Sequence, residues 1–286
     1  MLTILFDGIA YGMLLFVLSC GLSVTLGLMN FVNLAHGAFA MLGGYVTVIL
    51  MNRMGVPFLA SLPVAFLVPA VLGVVLERTL YVRLYGKGHL DQVLFSIGLV
   101  FMAAAGVDYF FGAQQQLIEL PEYLRAPLHI FGATVSVYRL FVIALCAVIA
   151  IALQLILTRT RFGSRLRASV DDRKVARGLG VNVNAIYALT FAAGSGLAGL
   201  GGAIGVDLLG MEPLFALKYM IYFLIVVTVG GTTTLTGPFI AALIIGIGDT
   251  AGKYYIPEVS AFVIYTIMVV VLIVKPEGLI GRVQAR

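Results

Sequence analysis

Tryptophan is absent from this chain, cysteine occurs twice, and only 11% of the residues carry charge. Each shortage excludes something. Cys20 and Cys146 lie far apart inside apolar runs, so buried thiols are expected rather than a disulfide or a cysteine metal site. The histidines His36, His89 and His129 are scattered and show no HExxH spacing, so that zinc signature is missing. Neither a GxxxxGK[ST] phosphate loop nor a GxSxG nucleophile elbow occurs. The chain carries no visible catalytic engine, and transport powered elsewhere, or passive conduction, fits better than catalysis. Lysine and arginine are missing before Arg53. The N-terminal apolar stretch therefore lacks the basic n-region of a cleaved signal and is expected to stay as a membrane helix.

What remains is oil. The chain is 61% apolar, where a soluble domain has about 45–50% apolar and about 25% charged residues. That balance predicts an all-α polytopic membrane protein. The net charge of +5 does not point to nucleic acid, because the basic residues fall between long apolar runs, as in cytoplasmic loops. Crossing a bilayer takes about 20 mainly apolar residues. Such runs occur near 3–28, 57–77, 91–112, 133–158, 184–206 and 258–275. Shorter, glycine-broken pieces lie near 37–51, 216–230 and 238–252. The count is eight or nine membrane helices, some short or interrupted, in a single domain covering 1–286.

Charge then sets direction. Residues 159–183 hold Arg159, Arg161, Arg165, Arg167, Arg173, Lys174 and Arg177, seven of the eighteen basic residues. Arg78, Arg83 and Lys87 follow an earlier run, and Lys275, Arg282 and Arg286 mark the tail. Residues 113–132 carry one arginine against Glu119 and Glu122. Cytoplasmic loops are enriched in Lys and Arg, so the basic loops and C-terminus are expected inside and 113–132 outside. Nine spans then place the N-terminus outside; eight spans with a re-entrant segment also satisfy the charges.

Within the basic loop, Ser169 to Asp172 reads as a capping box. Asp171 and Asp172 suit the positive end of a helix, Arg177 its negative end, and Gly178 and Gly180 supply a stop. A short helix over Val170 to Arg177 is predicted. It is either a solvated topology signal or a docking helix for a cytoplasmic protein; the cap and stop favour docking, since a topology signal needs no structure.

Small residues recur at Gly194, Ala198 and Gly202, and at Gly8 and Gly12, a spacing that admits a neighbouring helix backbone. Asn30, Asn33 and His36, three apart, would share one helix face. Polar groups at membrane depth usually face a protein interior or a watery path; a cytoplasmic turn is the alternative. The stretch "VTVGGTTTLTGPF" sets Thr232, Thr233 and Thr234 between glycines and Pro238, as an interrupted helix at a transport site does or as a surface turn does. Asp249 and Lys253 are four apart, spaced for an ion pair or for a lysine that snorkels.

Four stretches, "GLMNFVNLAHGAFAMLGGYV", "TRFGSRLRASVDDRKVARGLGVNVNAIYALTFAAGSGLAGLGGAIG", "VVTVGGTTTLTGPFIAALIIG" and "KPEGLIG", resemble the permease subunits of ATP-driven importers for branched-chain amino acids, of the LivH type. The likeness covers almost the whole chain. It departs at Thr232 to Thr234, where that family commonly has Gly-Ser after the double glycine, and at Asp172-Arg173, often acid-Pro. The resemblance implies an ABC-importer permease fold carrying leucine, isoleucine and valine, with urea, short amides and aromatic acids as cargoes of similar permeases. A stand-alone secondary transporter or channel is the rival class. The implied partners are a homologous, LivM-like permease, two ATPase subunits that bind the ATP and magnesium, a periplasmic binding protein and the lipid of a bacterial inner membrane. No cofactor is implied for this chain. The basic loop corresponds to the segment that docks the ATPase, which implies coupling roles for Gly163, Arg165, Asp171, Asp172, Arg173, Ala176, Gly178, Leu179, Gly180 and Val181. Asn30, Asn33, His36 and the threonines are pathway candidates on depth and spacing alone.

Overall fold

The computed structural model describes residues 1–29, 31, 33–130, 133–231 and 234–280. Among them the chain forms α1 (Leu2–Met29), α2 (His36–Val48), α3 (Phe58–Thr79), α4 (His89–Phe111), α5 (Glu122–Arg125), α6 (Val137–Arg159), α7 (Arg161–Asp171), α8 (Arg173–Gly178), α9 (Val183–Leu209), α10 (Phe215–Gly230), α11 (Thr236–Tyr255) and α12 (Ser260–Val274). Among the described residues six segments are long and apolar enough to cross a membrane: Leu2–Gly27, Phe58–Arg83, His89–Phe111, Val137–Arg159, Val183–Leu209 and Pro257–Val274. They match the six long runs read from the sequence. The three shorter runs are the helices α2, α10 and α11.

The helices form a core and a shell. In α1 and α9, 78% of the apolar stretch is buried, against 17% in α4, 11% in α6 and 6% in the stretch that includes α12. Phe101, Met102, Ile151, Phe262 and Ile273 all stand exposed. In water that surface would be penalised by about 25 cal/mol per Å²; against lipid tails it is at home. The fold is that of a helical polytopic membrane protein.

Glycine decides how the core closes. α9 packs against α1, α2 and α3, and α1 against α11. Gly194 of α9 meets Gly21 of α1, Gly199 lies on Gly43 of α2, and Gly202 on Ala40. Gly12 faces α11 so closely that a methyl group there would come within 2.7 Å of the Ala242 carbonyl oxygen and 2.9 Å of Leu243 Cα. Backbone cannot retreat as a side chain can. Gly12→Val is therefore expected to cost about 1–3 kcal/mol or more and to lower the thermal midpoint of the purified chain in detergent; an unchanged midpoint would show that the two helices are not closely packed.

One expectation about the helices needs correction. An apolar helix was expected from about 133, but Pro127–Ile130 and Ala133–Ser136 pair as the antiparallel strands β1 and β2, and α6 starts only at Val137. The short alternating Thr134-Val135-Ser136 run suits a strand, and Ser136 then caps α6 by accepting from the Tyr138 amide at 3.3 Å. Both cysteines are free and buried, as expected. The Asp249–Lys253 alternative resolves as a pair: the Lys253 ammonium bonds the buried Asp249 carboxylate at 2.6 Å.

Candidate functional site: the loop helices and the break between α1 and α2

The basic loop folds as two helices, not one. Thr160 caps α7, accepting from the Gly163 amide at 3.4 Å. Leu166 and Ser169 turn inward with Gly163, while Arg161 and Arg165 are exposed. Gly163 rests on the Leu157 carbonyl, where any side chain would collide. Arg167 bends back to donate to that same carbonyl, toward the end of α6.

The expected capping box does not form. Ser169 lies inside α7, where its hydroxyl donates to the Arg165 carbonyl at 2.7 Å, and Asp171 ends that helix instead of starting the next. The cap of α8 is Asp172, whose Oδ1 accepts from the Lys174 and Val175 amides at 2.7 and 3.0 Å. One carboxylate thereby satisfies two of the free amides that every helix start leaves. The stop is as expected: the Gly180 amide bonds the Arg177 carbonyl and the Val181 amide bonds the Ala176 carbonyl, both at 3.0 Å. With φ of +81° at Gly180, this is a Schellman ending, which needs a residue without Cβ at that position. Ala176 is buried beneath it, whereas Val175 and Leu179 stand 57% and 78% exposed beside exposed Lys174 and Arg177.

Arg173 ties this cap to the membrane body. Its guanidinium lies 5.2 Å from the Tyr85 ring centre and 4.7 Å from that of Tyr187, and its Nε donates to the Tyr187 hydroxyl at 3.1 Å. The Tyr187 hydroxyl in turn donates to the Ser169 carbonyl at 3.1 Å. The Tyr85 hydroxyl donates to Glu77 at 2.9 Å. Burial first, and then the Glu77 carboxylate, push the Tyr85 phenol well above its ordinary range, so it stays a donor. Inward from Tyr85 lies Phe31, edge-on at 5.4 Å, and then Tyr81, edge-on to Phe31 at 5.3 Å. The Tyr81 hydroxyl donates to Asn33 Oδ1 at 3.0 Å.

Asn33 occupies the break between α1 and α2, so it does not share a helix face with His36, which opens α2. Nor is the segment a turn in water, because Asn33 and His36 are only 1% and 2% exposed. The Asn33 carbonyl oxygen also accepts from the Ala35 amide at 3.2 Å and stands in for the missing helical partner there. His36 packs on Gly21 and edge-on to Phe223 at 6.4 Å, and its Nε2 has no partner among the described residues. Asn30, Thr232 and Thr233 lie outside the described residues. Thr234 follows α10, accepts from the Gly237 amide at 3.4 Å, and borders a 240 Å³ cavity with Ser23, Gln154 and Arg167. The closing motif also finds its place, as the Leu279 amide bonds the Val229 carbonyl at the end of α10 at 2.8 Å. Sequence reading missed Glu77, Tyr81, Tyr85 and Tyr187; the four-residue spacing of Tyr81 and Tyr85 in a basic loop was the signal available.

Long lipid-facing helices around a buried, hydrogen-bonded break, capped at one end by a basic pair of short helices, define a polytopic helical membrane protein. The family model for the permease component of branched-chain amino acid transport systems matches residues 4–272. The high-affinity branched-chain amino acid transport permease BraD of Pseudomonas aeruginosa is 25% identical over 97% of this chain and 95% of its own length. LivH of Escherichia coli K12 is 24% identical over 97% and 94%, and a probable LivH of Methanocaldococcus jannaschii is 27% identical over 97% and 92%. LivM of E. coli also matches, at 24% over 94% of this chain and 68% of LivM. No solved structure gives a significant match. The chain belongs to the branched-chain amino acid transport permease family. It is a transport permease and not an enzyme.

Proposed function

We propose that this chain forms half of the translocation pathway of an ATP-binding-cassette importer for leucine, isoleucine and valine. A LivM-like permease forms the other half, two ATPase subunits bind ATP and magnesium, and a periplasmic binding protein delivers the cargo. The cap formed by α7 and α8 takes up the motion of the ATPase. It lies on the cytoplasmic side of the inner membrane with the other basic loops and the C-terminus, and the N-terminus lies outside.

One observation carries the coupling role. The cap presents Val175 and Leu179 to the outside among cations, while its inner side is held by Arg173 to residues that reach the α1–α2 break. Exposed apolar side chains ringed by charge mark a protein-binding face. The Asp172 cap and the Gly180 ending give that face a fixed shape, as a lever requires. The names of the relatives support the cargo, and the resemblance of the loop supports the motor.

The test is Val175→Asp combined with Leu179→Asp. Losing two apolar anchors of about 1–2 kcal/mol each is expected to cut leucine uptake about tenfold or more and to lose the ATPase on purification, with membrane levels unchanged. Retained ATPase and normal uptake would refute the docking role.

A further inference from the structure

We propose that the groove between α1, α6 and α11 is a binding site for one anionic phospholipid, its phosphate at Arg167 and one acyl chain lying along Phe16 and Phe239. The inference needs only the membrane fold and holds whatever drives transport.

The polar end is the 240 Å³ cavity bounded by Ser23, Gln154, Arg167 and Thr234. Among the described residues its lining holds a cation and no carboxylate. Ser23 is 4% exposed, and its hydroxyl has no partner among the described residues. A helical serine in a buried place ordinarily satisfies its hydroxyl within its own helix, as Ser19 does on the Phe16 carbonyl at 3.2 Å. A donor left over at the rim of a basic cavity suits an anion's oxygen.

The apolar end is a 290 Å³ groove that shares Gln154, Leu235 and Thr236 with the first cavity and continues to Phe16, Ile151, Leu155 and Phe239. All three helices agree on direction. From Ser23 to Phe16 on α1, from Thr158 to Ile151 on α6, and from Thr236 to Phe239 on α11, the lining passes from polar to apolar moving away from the basic cap. At about 1.5 Å per residue the α1 stretch spans about 10 Å, enough for the upper part of an acyl chain beneath a headgroup. Ile151 and Leu155 are 60% and 52% exposed, so the groove opens to lipid. Arg167 is exposed and keeps one nitrogen on the Leu157 carbonyl; as the charged residue of the lining it calls for a negative headgroup, and a zwitterion brings an unpaired ammonium into the same cavity.

The absence of tryptophan makes the test clean. Leu155→Trp is placed in the otherwise unchanged full chain, reconstituted in phosphatidylcholine vesicles. Quenching by acyl-brominated phosphatidylglycerol is then compared with quenching by acyl-brominated phosphatidylcholine. An anionic preference of about fivefold is expected, the ratio one basic residue near the membrane surface produces. Val270→Trp, exposed and four residues from the end of α12 as Leu155 is from the end of α6, is expected to show a ratio near one. Arg167→Gln should abolish the preference at Leu155→Trp, and Arg167→Lys should keep it, with helical content by circular dichroism checking the fold of each. A ratio of one at Leu155→Trp, or a preference that survives Arg167→Gln, overturns the proposal. So does an absence of quenching by either lipid, which would show the groove covered by protein.

Discussion

Arg173→Ala is expected to leave a chain that inserts normally but transports at least about tenfold more slowly, with ATP hydrolysis by its partners no longer matched to uptake. The reason is geometric. Arg173 is the one side chain of α8 that bonds both to α9, at Tyr187, and to the loop after α3, at Tyr85. A cation over two rings and a charged hydrogen bond contribute together about 2–4 kcal/mol, discounted for the partial exposure of Arg173. About 1.4 kcal/mol corresponds to a tenfold change in an equilibrium. A cap that loses this tie can still bind a motor but moves without carrying the membrane helices along. Arg173→Lys should restore little, because an ammonium cannot reproduce a planar guanidinium that meets two rings and a hydroxyl at once. Combining Arg173→Ala with Tyr85→Leu should add little further loss if the two act as one unit. Uptake of labelled leucine beside ATPase rate in reconstituted vesicles reads the outcome. Coupled, near-normal transport by Arg173→Ala would remove the tie from the mechanism.

Asn33→Leu acts at the other end of the same chain of contacts, and it is expected to act on stability. The Asn33 carbonyl oxygen serves the Ala35 amide and the Tyr81 hydroxyl, both buried. Leucine fits the volume but strands both donors, at about 1–3 kcal/mol each, out of a total stability of about 5–15 kcal/mol. The purified chain should aggregate at markedly lower temperature. Tyr81→Phe alone should be mild, since Asn33 still holds Ala35. The pair Asn33→Leu with Tyr81→Phe should recover part of the loss by removing one stranded donor. No recovery in the double variant would mean that the hydroxyl is satisfied elsewhere. Both predictions test whether the break between α1 and α2 is a built element, in which Tyr81 positions Asn33 and Arg173 positions Tyr85 against Phe31.

Much of the frame was legible beforehand, for reasons specific to membranes. A bilayer demands runs of about 20 apolar residues, so the helices starting at Leu2, Phe58, His89 and Val183 are written into composition alone. Glycine is equally legible: Gly180 had to end a helix, and Gly12 and Gly194 had to admit a neighbour. The capping of α8 was harder. Ser169 and Asp172 both satisfy local capping rules, and the choice between them depends on Ser169 being buried under Tyr187, a residue 18 positions away. The pathway candidates show the same limit. Asn33 looked like part of a helix stripe with His36, because three-residue spacing is a helical signal; its actual partner, Tyr81, stands 48 positions along the chain. The Thr134-Val135-Ser136 strand was swallowed by the apolar run that follows it.

Residence in the bilayer, the gathering of positive charge into a few loops, and the places where helices must stop follow from the residues themselves, since each answers to solvent or to local backbone geometry. Which helices lie at the centre and which face lipid did not follow, because α1 and α4 are almost equally apolar yet one is buried and the other is not. That was decided where glycine met glycine across α1, α2 and α9, where Arg173 came to rest against two touching tyrosines, and where Asn33 found a hydroxyl from another segment. Such contacts join distant parts of the chain, and only the folded arrangement brings them within reach.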